Sequence, residues 1–348
     1  MDQKTGIQEI KLTKIDFESD QMVKWCPGCG DHAILKSVEN VFPKVGEQMG
    51  YKKEDFVVVS GIGCSSRFPY YMNTYGIHGI HGRAAALAMG IKLTNPKLCV
   101  WVISGDGDSM AIGGNHFIHI ARRNLDINYL MFNNKIYGLT KGQYSPTTPK
   151  GQKTKTSPQG NFETPLNAGN LVIGAGGKFY ARVVDTDMTL MQKVFLEAAL
   201  HHGTSIVEIL QNCVIFNNKA HELITGKETK YDNQLILEAG KPMLFGKEKE
   251  KGLILDGTQL KVVKLGENGI TENDILVHDP TTEDAGIHNM LASMQLPDFP
   301  VALGVIRSVK SETLEDIVWN TIEEQKQISP YKSVDDLLNS GNTWEIKE

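Results

Sequence analysis

Leu98-Cys99-Val100-Trp101-Val102-Ile103 is an unbroken apolar run, and after one serine it reaches Gly105-Asp106-Gly107-Asp108. A second run, Asn128-Tyr129-Leu130-Met131-Phe132, ends at Asn133-Asn134. Continuous apolar runs of this length read as strands buried on both faces. The residues between them, 109–123, read as one helix. A carboxylate and a carboxamide thus stand at the ends of two successive strands. Two neighbouring hard oxygen ligands suit magnesium, which takes one or two protein ligands and completes its shell with phosphate and water.

The pattern continues outward. Phe56-Val57-Val58-Val59-Ser60, residues 180–184 and residues 205–210 read as further strands, and 31–41, 82–93 and 188–201 as helices. Apolar strands alternating with helices predict an α/β fold, a mostly parallel sheet with helices on both faces. Such sheets bind ligands outside the carboxyl ends of their strands. Cys64, Asp106, Asn134 and Cys213 each follow a strand in this way.

The chain has 348 residues, long enough to bury a core without cross-links. A formal charge of -5 leaves no electrostatic footprint for nucleic acid. No apolar stretch reaches membrane-spanning length. The polar start, Met1-Asp2-Gln3-Lys4, predicts no secretory leader, and a cytoplasmic protein is expected. Five cysteines in so long a chain point to metal or redox use of some, not to a disulfide framework.

Two domains are expected: 1–225 with the site, and 226–348 as a C-terminal extension packing on that domain or on a partner subunit. Within the extension, 252–265 reads as a hairpin turning at Asp256-Gly257, and residues around 314–322 are amphipathic. Residues 147–167 read as a long surface loop, either a solvated excursion or a lid or partner contact.

At the oxygen site Asp106 supplies an anionic ligand, Asn134 a neutral one, and the Ile136 carbonyl completes the protein share. Gly105 and Gly107 allow close approach of the backbone to a diphosphate. The helix start behind them would aim its N–H groups at the anion. Asp108 is expected at the cofactor as well, although it and Ser109 also suit simple helix capping.

Cys26 and Cys29 form a C-x-x-C ahead of a helix. Zinc, a redox dithiol and an iron–sulfur cluster all fit that pair alone. With Cys64 and Cys213 on the same sheet edge, four thiolates from three segments suit a 4Fe–4S cluster. Cys99 lies inside a strand and reads as a small buried hydrophobe. His116 and His119 stand three apart on a helix without a third ligand and read as core or interface residues. His201, His202 and His221 carry no assigned role.

Several strings then combine. Trp25-Cys26-Pro27-Gly28-Cys29-Gly30, Gly61-Ile62-Gly63-Cys64-Ser65-Ser66, His81-Gly82-Arg83, Gly105-Asp106-Gly107 with Asn133-Asn134, and Tyr137-Gly138-Leu139-Thr140-Lys141-Gly142-Gln143 occur in this order. Over about residues 20–225 the set resembles the β subunit of 2-oxoacid:ferredoxin oxidoreductases. The 137–143 string is more similar to the 2-oxoglutarate or broad 2-oxoacid branch than to the pyruvate branch.

The resemblance implies a thiamine-diphosphate-binding fold and oxidative decarboxylation of a 2-oxo acid to acyl-CoA, possible in reverse with a strong reductant. Implied cofactors are thiamine diphosphate, Mg2+ and one 4Fe–4S cluster held by Cys26, Cys29, Cys64 and Cys213. Implied partners are an α subunit, in an αβ heterodimer or (αβ)2 assembly, together with ferredoxin, coenzyme A and the 2-oxo acid. Cys64, Ser65 and His81 are expected near the cofactor, with Ser66 either there or holding its loop. Arg83 and Lys141 are expected near substrate. The glutamate that activates the cofactor matches no motif here and is expected on the α subunit. Two alternatives stand beside this reading: a non-redox thiamine-diphosphate decarboxylase subunit, and a zinc-stabilised interaction module.

Overall fold

Eleven strands form two sheets in the computed structural model, which describes residues 11–347. In chain order they are β1 Phe56–Ser60, β2 Tyr75–His78, β3 Cys99–Gly105, β4 Ile127–Asn133, β5 Phe179–Val184, β6 Ser205–Leu210, β7 Gln234–Ile236, β8 Leu244–Phe245, β9 Lys251–Asp256, β10 Gln259–Lys264 and β11 Val301–Ser308. The main sheet has the order β2-β1-β3-β4-β6-β5-β11-β7. β1 to β6 are mutually parallel. β11 pairs antiparallel with β5, and β7 pairs parallel with β11.

The expected α/β architecture is therefore present. The period of two in a strand sends alternate residues to opposite faces. Val57, Val59, Val100 and Val102 join one core with the helices Ala84–Thr94 and Gly114–Arg123. Phe56, Val58, Trp101 and Ile103 join the other, against Asp31–Met49 and Met188–Leu200. Chain order reverses between β1 and β3, so the loops after these two strands part there. In open α/β sheets that point is where a crevice forms.

Three expectations change in detail. The helix expected over 109–123 is interrupted: a π-helical turn, Asp108–Ile112, precedes a helix that begins at Gly114. Its cause is local, since the Asp108 side chain is drawn across to neighbouring loops and Gly82 packs against Gly113. The helix from Asp31 runs past 41 to Met49, carrying Pro43, and stops at left-handed Gly50 (φ 75°). Strand β2 has no counterpart in the sequence reading; it is exposed along its whole length.

The segment after 225 supplies β7 and β11, so it is built into the main sheet rather than laid on it. β11 covers the edge that β5 would otherwise expose. The hairpin at 252–265 is present as β9 and β10, with Gly257 in a left-handed turn (φ 62°). The amphipathic stretch forms the helix Leu314–Ile328. Residues 1–4, read as a polar start, lie outside the described residues. Among the described residues no helix is long and apolar enough to cross a membrane.

Candidate active site

Asp106 stands at the end of β3 and is 2% exposed. Burying a carboxylate is costly unless donors meet it. Here the Ser145 and Thr147 hydroxyls both donate to Oδ2, each at 2.5 Å. Burial still wins over these bonds and pushes the carboxyl up to about 6. Thr147 Oγ1 also reaches Asn133 Oδ1 at 2.9 Å, joining the ends of β3 and β4.

Asn133 is held from behind. Its amide nitrogen donates to Glu208 Oε1 at 2.6 Å, and Glu208 Oε2 accepts from Arg182 Nε at 2.6 Å and the Tyr180 hydroxyl at 2.5 Å. His221 Nε2 lies 3.0 Å from the Asn133 carbonyl. Asn133 is thus a frame residue. Its neighbour Asn134, the expected ligand, turns its Oδ1 over its own loop and accepts the Ile136 N–H at 3.1 Å. That carbonyl oxygen keeps a second lone pair. Ile136 is buried beside it.

The Asp108 side chain reaches across to the neighbouring loops. Its Oδ1 accepts the N–H groups of Ile62 (3.1 Å) and Gly82 (2.7 Å) and meets His81 Nδ1; its Oδ2 accepts Ser104 Oγ at 2.5 Å. One carboxylate therefore clamps the loops after β1, β2 and β3. Gly61 is required for this approach: a Cβ there would lie 1.8 Å from Asp108 Oδ2. Ser109 hydrogen-bonds Ser104 and Tyr129, also away from open space.

His81 is anchored through Nδ1, which leaves Nε2 as its other polar atom. Its ring lies edge-on to Tyr137, with centroids 6.2 Å apart. The Tyr137 hydroxyl donates to the Gly107 carbonyl at 3.0 Å, and a Cβ on Gly107 would lie 2.3 Å from the Tyr137 ring. Gly105 faces Ser65, whose Oγ would be 3.7 Å from a Cβ at 105. Ser66 is buried with its hydroxyl unpartnered, while its carbonyl accepts from Ser60 Oγ (2.7 Å). Arg83 folds back onto the His81 carbonyl at 2.9 Å. Lys141 is exposed at the tip of the 137–143 loop in a left-handed conformation (φ 77°).

The cysteine segments meet at the same edge. The Trp25 indole donates to the Cys64 carbonyl at 2.7 Å. Gly30 N–H reaches the Asn212 carbonyl at 3.4 Å, and Gln211 Nε2 lies 3.3 Å from Cys29 Sγ. A Cβ on Gly138 would lie 3.4 Å from Cys213 Sγ and 3.6 Å from Cys64 Sγ, so the two sulfurs flank that glycine. Burial pushes the Cys64 thiol up to about 12 and raises Cys29 further, with Asp31 adding repulsion to both. Cys26 is exposed, and Cys99 is buried in β3 away from the others, as expected. Among the described residues no group of three or more His, Cys, Asp or Glu closes into a metal-ion site. Cys64 and Cys213 are neighbours, and the four thiols form no closed ligand set among the described residues.

Of the histidines given no role, His202 pairs with Asp316 at the surface (2.6 Å) and His201 packs on Phe179. His119 keeps an unpartnered buried Nδ1. The residues that sequence reading missed are Ser145, Thr147, Glu208 and His221. Only Glu208, a lone charge inside a buried strand, carried a visible signal.

The chain is similar to known proteins. Residues 61–209 match the family model of the thiamine pyrophosphate enzyme, C-terminal TPP binding domain. The chain is 41% identical over 334 residues to the 2-oxoglutarate oxidoreductase subunit KorB of Mycobacterium tuberculosis, covering 95% of this chain and 88% of that one. It is 47% identical over 206 residues to the 2-oxoglutarate synthase subunit KorB of Archaeoglobus fulgidus, 59% of this chain and 75% of that one. A solved structure of 2-oxoglutarate:ferredoxin oxidoreductase from Magnetococcus marinus, with 2-oxoglutarate, coenzyme A and succinyl-CoA bound, superposes with a TM-score of 0.74. That match has 28% identity and covers 97% of this chain and 98% of the other. Fold, strand-end site and family model together define a thiamine-diphosphate-binding protein. More particularly, the chain belongs to the family of 2-oxoglutarate and 2-oxoacid:ferredoxin oxidoreductase β subunits.

Proposed function

We propose that this chain carries the thiamine diphosphate and one 4Fe–4S cluster of an enzyme that converts 2-oxoglutarate and coenzyme A to succinyl-CoA and carbon dioxide, passing electrons to ferredoxin. The supporting observation is the closeness of two donor sets. Gly138 touches two of the four thiols and belongs to the same loop as Asn134 and Ile136.

Asp106, Asn134 and the Ile136 carbonyl would hold Mg2+, and all three suit its preference for oxygen. Cys26, Cys29, Cys64 and Cys213 would hold the cluster, whose iron would stabilise thiolates that burial otherwise disfavours. When bound, thiamine diphosphate supplies an electron sink for decarboxylation and the cluster a one-electron outlet. The chain's own work is placement. Asp108 fixes His81 by Nδ1, leaving Nε2 to hold or accept a proton. Gly107 admits the Tyr137 ring, which closes one wall. Lys141 offers an exposed positive charge for a substrate carboxylate or a coenzyme A phosphate.

An α subunit completes the site by supplying the activating carboxylate. In this reading 1–225 bears both donor sets, and 226–348 completes the sheet behind them. The test is anaerobic reduction of methyl viologen by 2-oxoglutarate and coenzyme A, with and without the α subunit. Turnover is expected only from the complex; robust turnover by the lone chain would contradict the division of labour.

A further inference from the structure

Asp106 is buried at the metal-binding edge, yet the side chains that donate to it are two hydroxyls from far along the chain. Both contacts fall on the same oxygen, Oδ2. The hydroxyls themselves are fixed. Ser145 N–H donates to Thr148 Oγ1 at 2.8 Å, and Thr148 Oγ1 donates to the Lys135 carbonyl at 2.7 Å. Asn161 Nδ2 holds the Thr148 carbonyl at 2.8 Å, and Leu166 N–H holds the Pro146 carbonyl at 2.8 Å. The chain from Ser145 into the expected surface loop of 147–167 is therefore an anchored strap, with Ser145, Thr147 and Thr148 all buried.

We infer that Ser145 and Thr147 are positioning residues for the divalent cation: they seize Oδ2 of Asp106, fix the rotation of the carboxylate, and so aim its other oxygen at the metal. The inference rests on the reading that Asp106 is a magnesium ligand. Thr147 Oγ1 also lies 2.9 Å from Asn133 Oδ1, so its one proton is shared between the strand bearing Asp106 and the strand that leads into Asn134. A hydroxyl pair suits the task better than a cation would. It orients an anion without cancelling the charge the metal needs, and outer partners of this kind set ligand geometry.

The test uses the complex with its α subunit, freed of cofactor. Thiamine diphosphate binding is followed by tryptophan fluorescence while Mg2+ is titrated, and thermal unfolding is recorded in parallel. Thr147→Val and Ser145→Ala are expected to weaken apparent Mg2+ affinity by about 10–100-fold, with Thr147→Ser restoring most of it. Variants that lose thermal stability but keep the wild-type Mg2+ dependence would overturn the inference and leave the magnesium reading standing. Should Asp106→Asn also keep wild-type Mg2+ dependence, that reading fails and takes the inference with it. Ser145→Ala covers the case in which Thr147→Val does not fold, since it removes the other donor to Oδ2 without adding bulk.

Discussion

The side-chain amide of Asn217 donates to the main-chain carbonyl of Asn134 across 2.9 Å. Asn217 belongs to the cysteine loop after β6, where its N–H meets the Cys213 carbonyl at 3.1 Å. Its Oδ1 accepts from Gln152 on the strap at 2.9 Å. One side chain thus joins the oxygen-donor loop, the strap and the sulfur-bearing loop. Asn217→Ala should lower thiamine diphosphate occupancy and iron content together, with about 1–3 kcal/mol of stability lost from the unsatisfied groups. Parallel cofactor assay and chemical unfolding check this; loss of one cofactor alone would argue that the loops are not coupled.

Gly107 and Gly114 lie seven positions apart and are opposite in tolerance. A Cβ at 107 would enter the Tyr137 ring, whereas one at 114 meets nothing within 4 Å. Gly107→Ala should cost about 1–3 kcal/mol by overpacking and depress cofactor binding. Gly114→Ala, on a helix, should be neutral or stabilising by up to about 1 kcal/mol. Melting temperatures of the two variants decide it.

Burial raises Asp106 to about 6 and, with repulsion from Asp185, Asp31 to about 7. In the folded chain both carboxyls hold protons that the unfolded chain releases near 3.8. Their contribution to stability is fully present below that value and is lost as pH rises through 6 to 7. In metal-free protein these two carboxyls lose their contribution across this window, while His201 and His221, lowered to about 4 by burial, gain theirs as pH rises toward 6.5; Mg2+ affinity rises as Asp106 ionises. Denaturant titrations from pH 4.5 to 7.5, an about three-unit span set by those shifts, should show wild type losing stability relative to Asp31→Asn as pH rises. A difference between wild type and Asp31→Asn that stays constant with pH would refute the burial argument.

Glu208 and Arg182 form a buried pair whose carboxylate also holds Asn133. Removing one partner strands the other charge, so Arg182→Met should cost about 3–5 kcal/mol. Arg182→Lys should rescue little, because a lysine cannot reproduce the bond to Glu208 together with those to Tyr180 and Ala292. Unfolding midpoints of both variants measure the difference.

Much of this was legible in the sequence where the signal is local. The five buried parallel strands announced themselves as apolar runs, and the ligand candidates followed because they sit immediately at strand ends. β2 was hidden because its residues are exposed and leave no burial pattern. β11 was hidden because Gly304 interrupts it and its partner β5 lies more than a hundred residues earlier. The strap donors were illegible for the same reason of distance: Ser145 and Thr147 reach Asp106 across 39 and 41 residues. The reach of Asp108 to three loops leaves no local signal, because a helix-start carboxylate is ordinarily a cap.

The most direct measurement is iron and acid-labile sulfide on anaerobically purified chain, wild type against Cys26→Ser, Cys29→Ser, Cys64→Ser, Cys213→Ser and Cys99→Ser. The account predicts about four irons and four sulfides per chain, lost or depleted in the first four variants and kept in the last. Zinc in place of iron, or wild-type iron content after loss of Cys213, would contradict it.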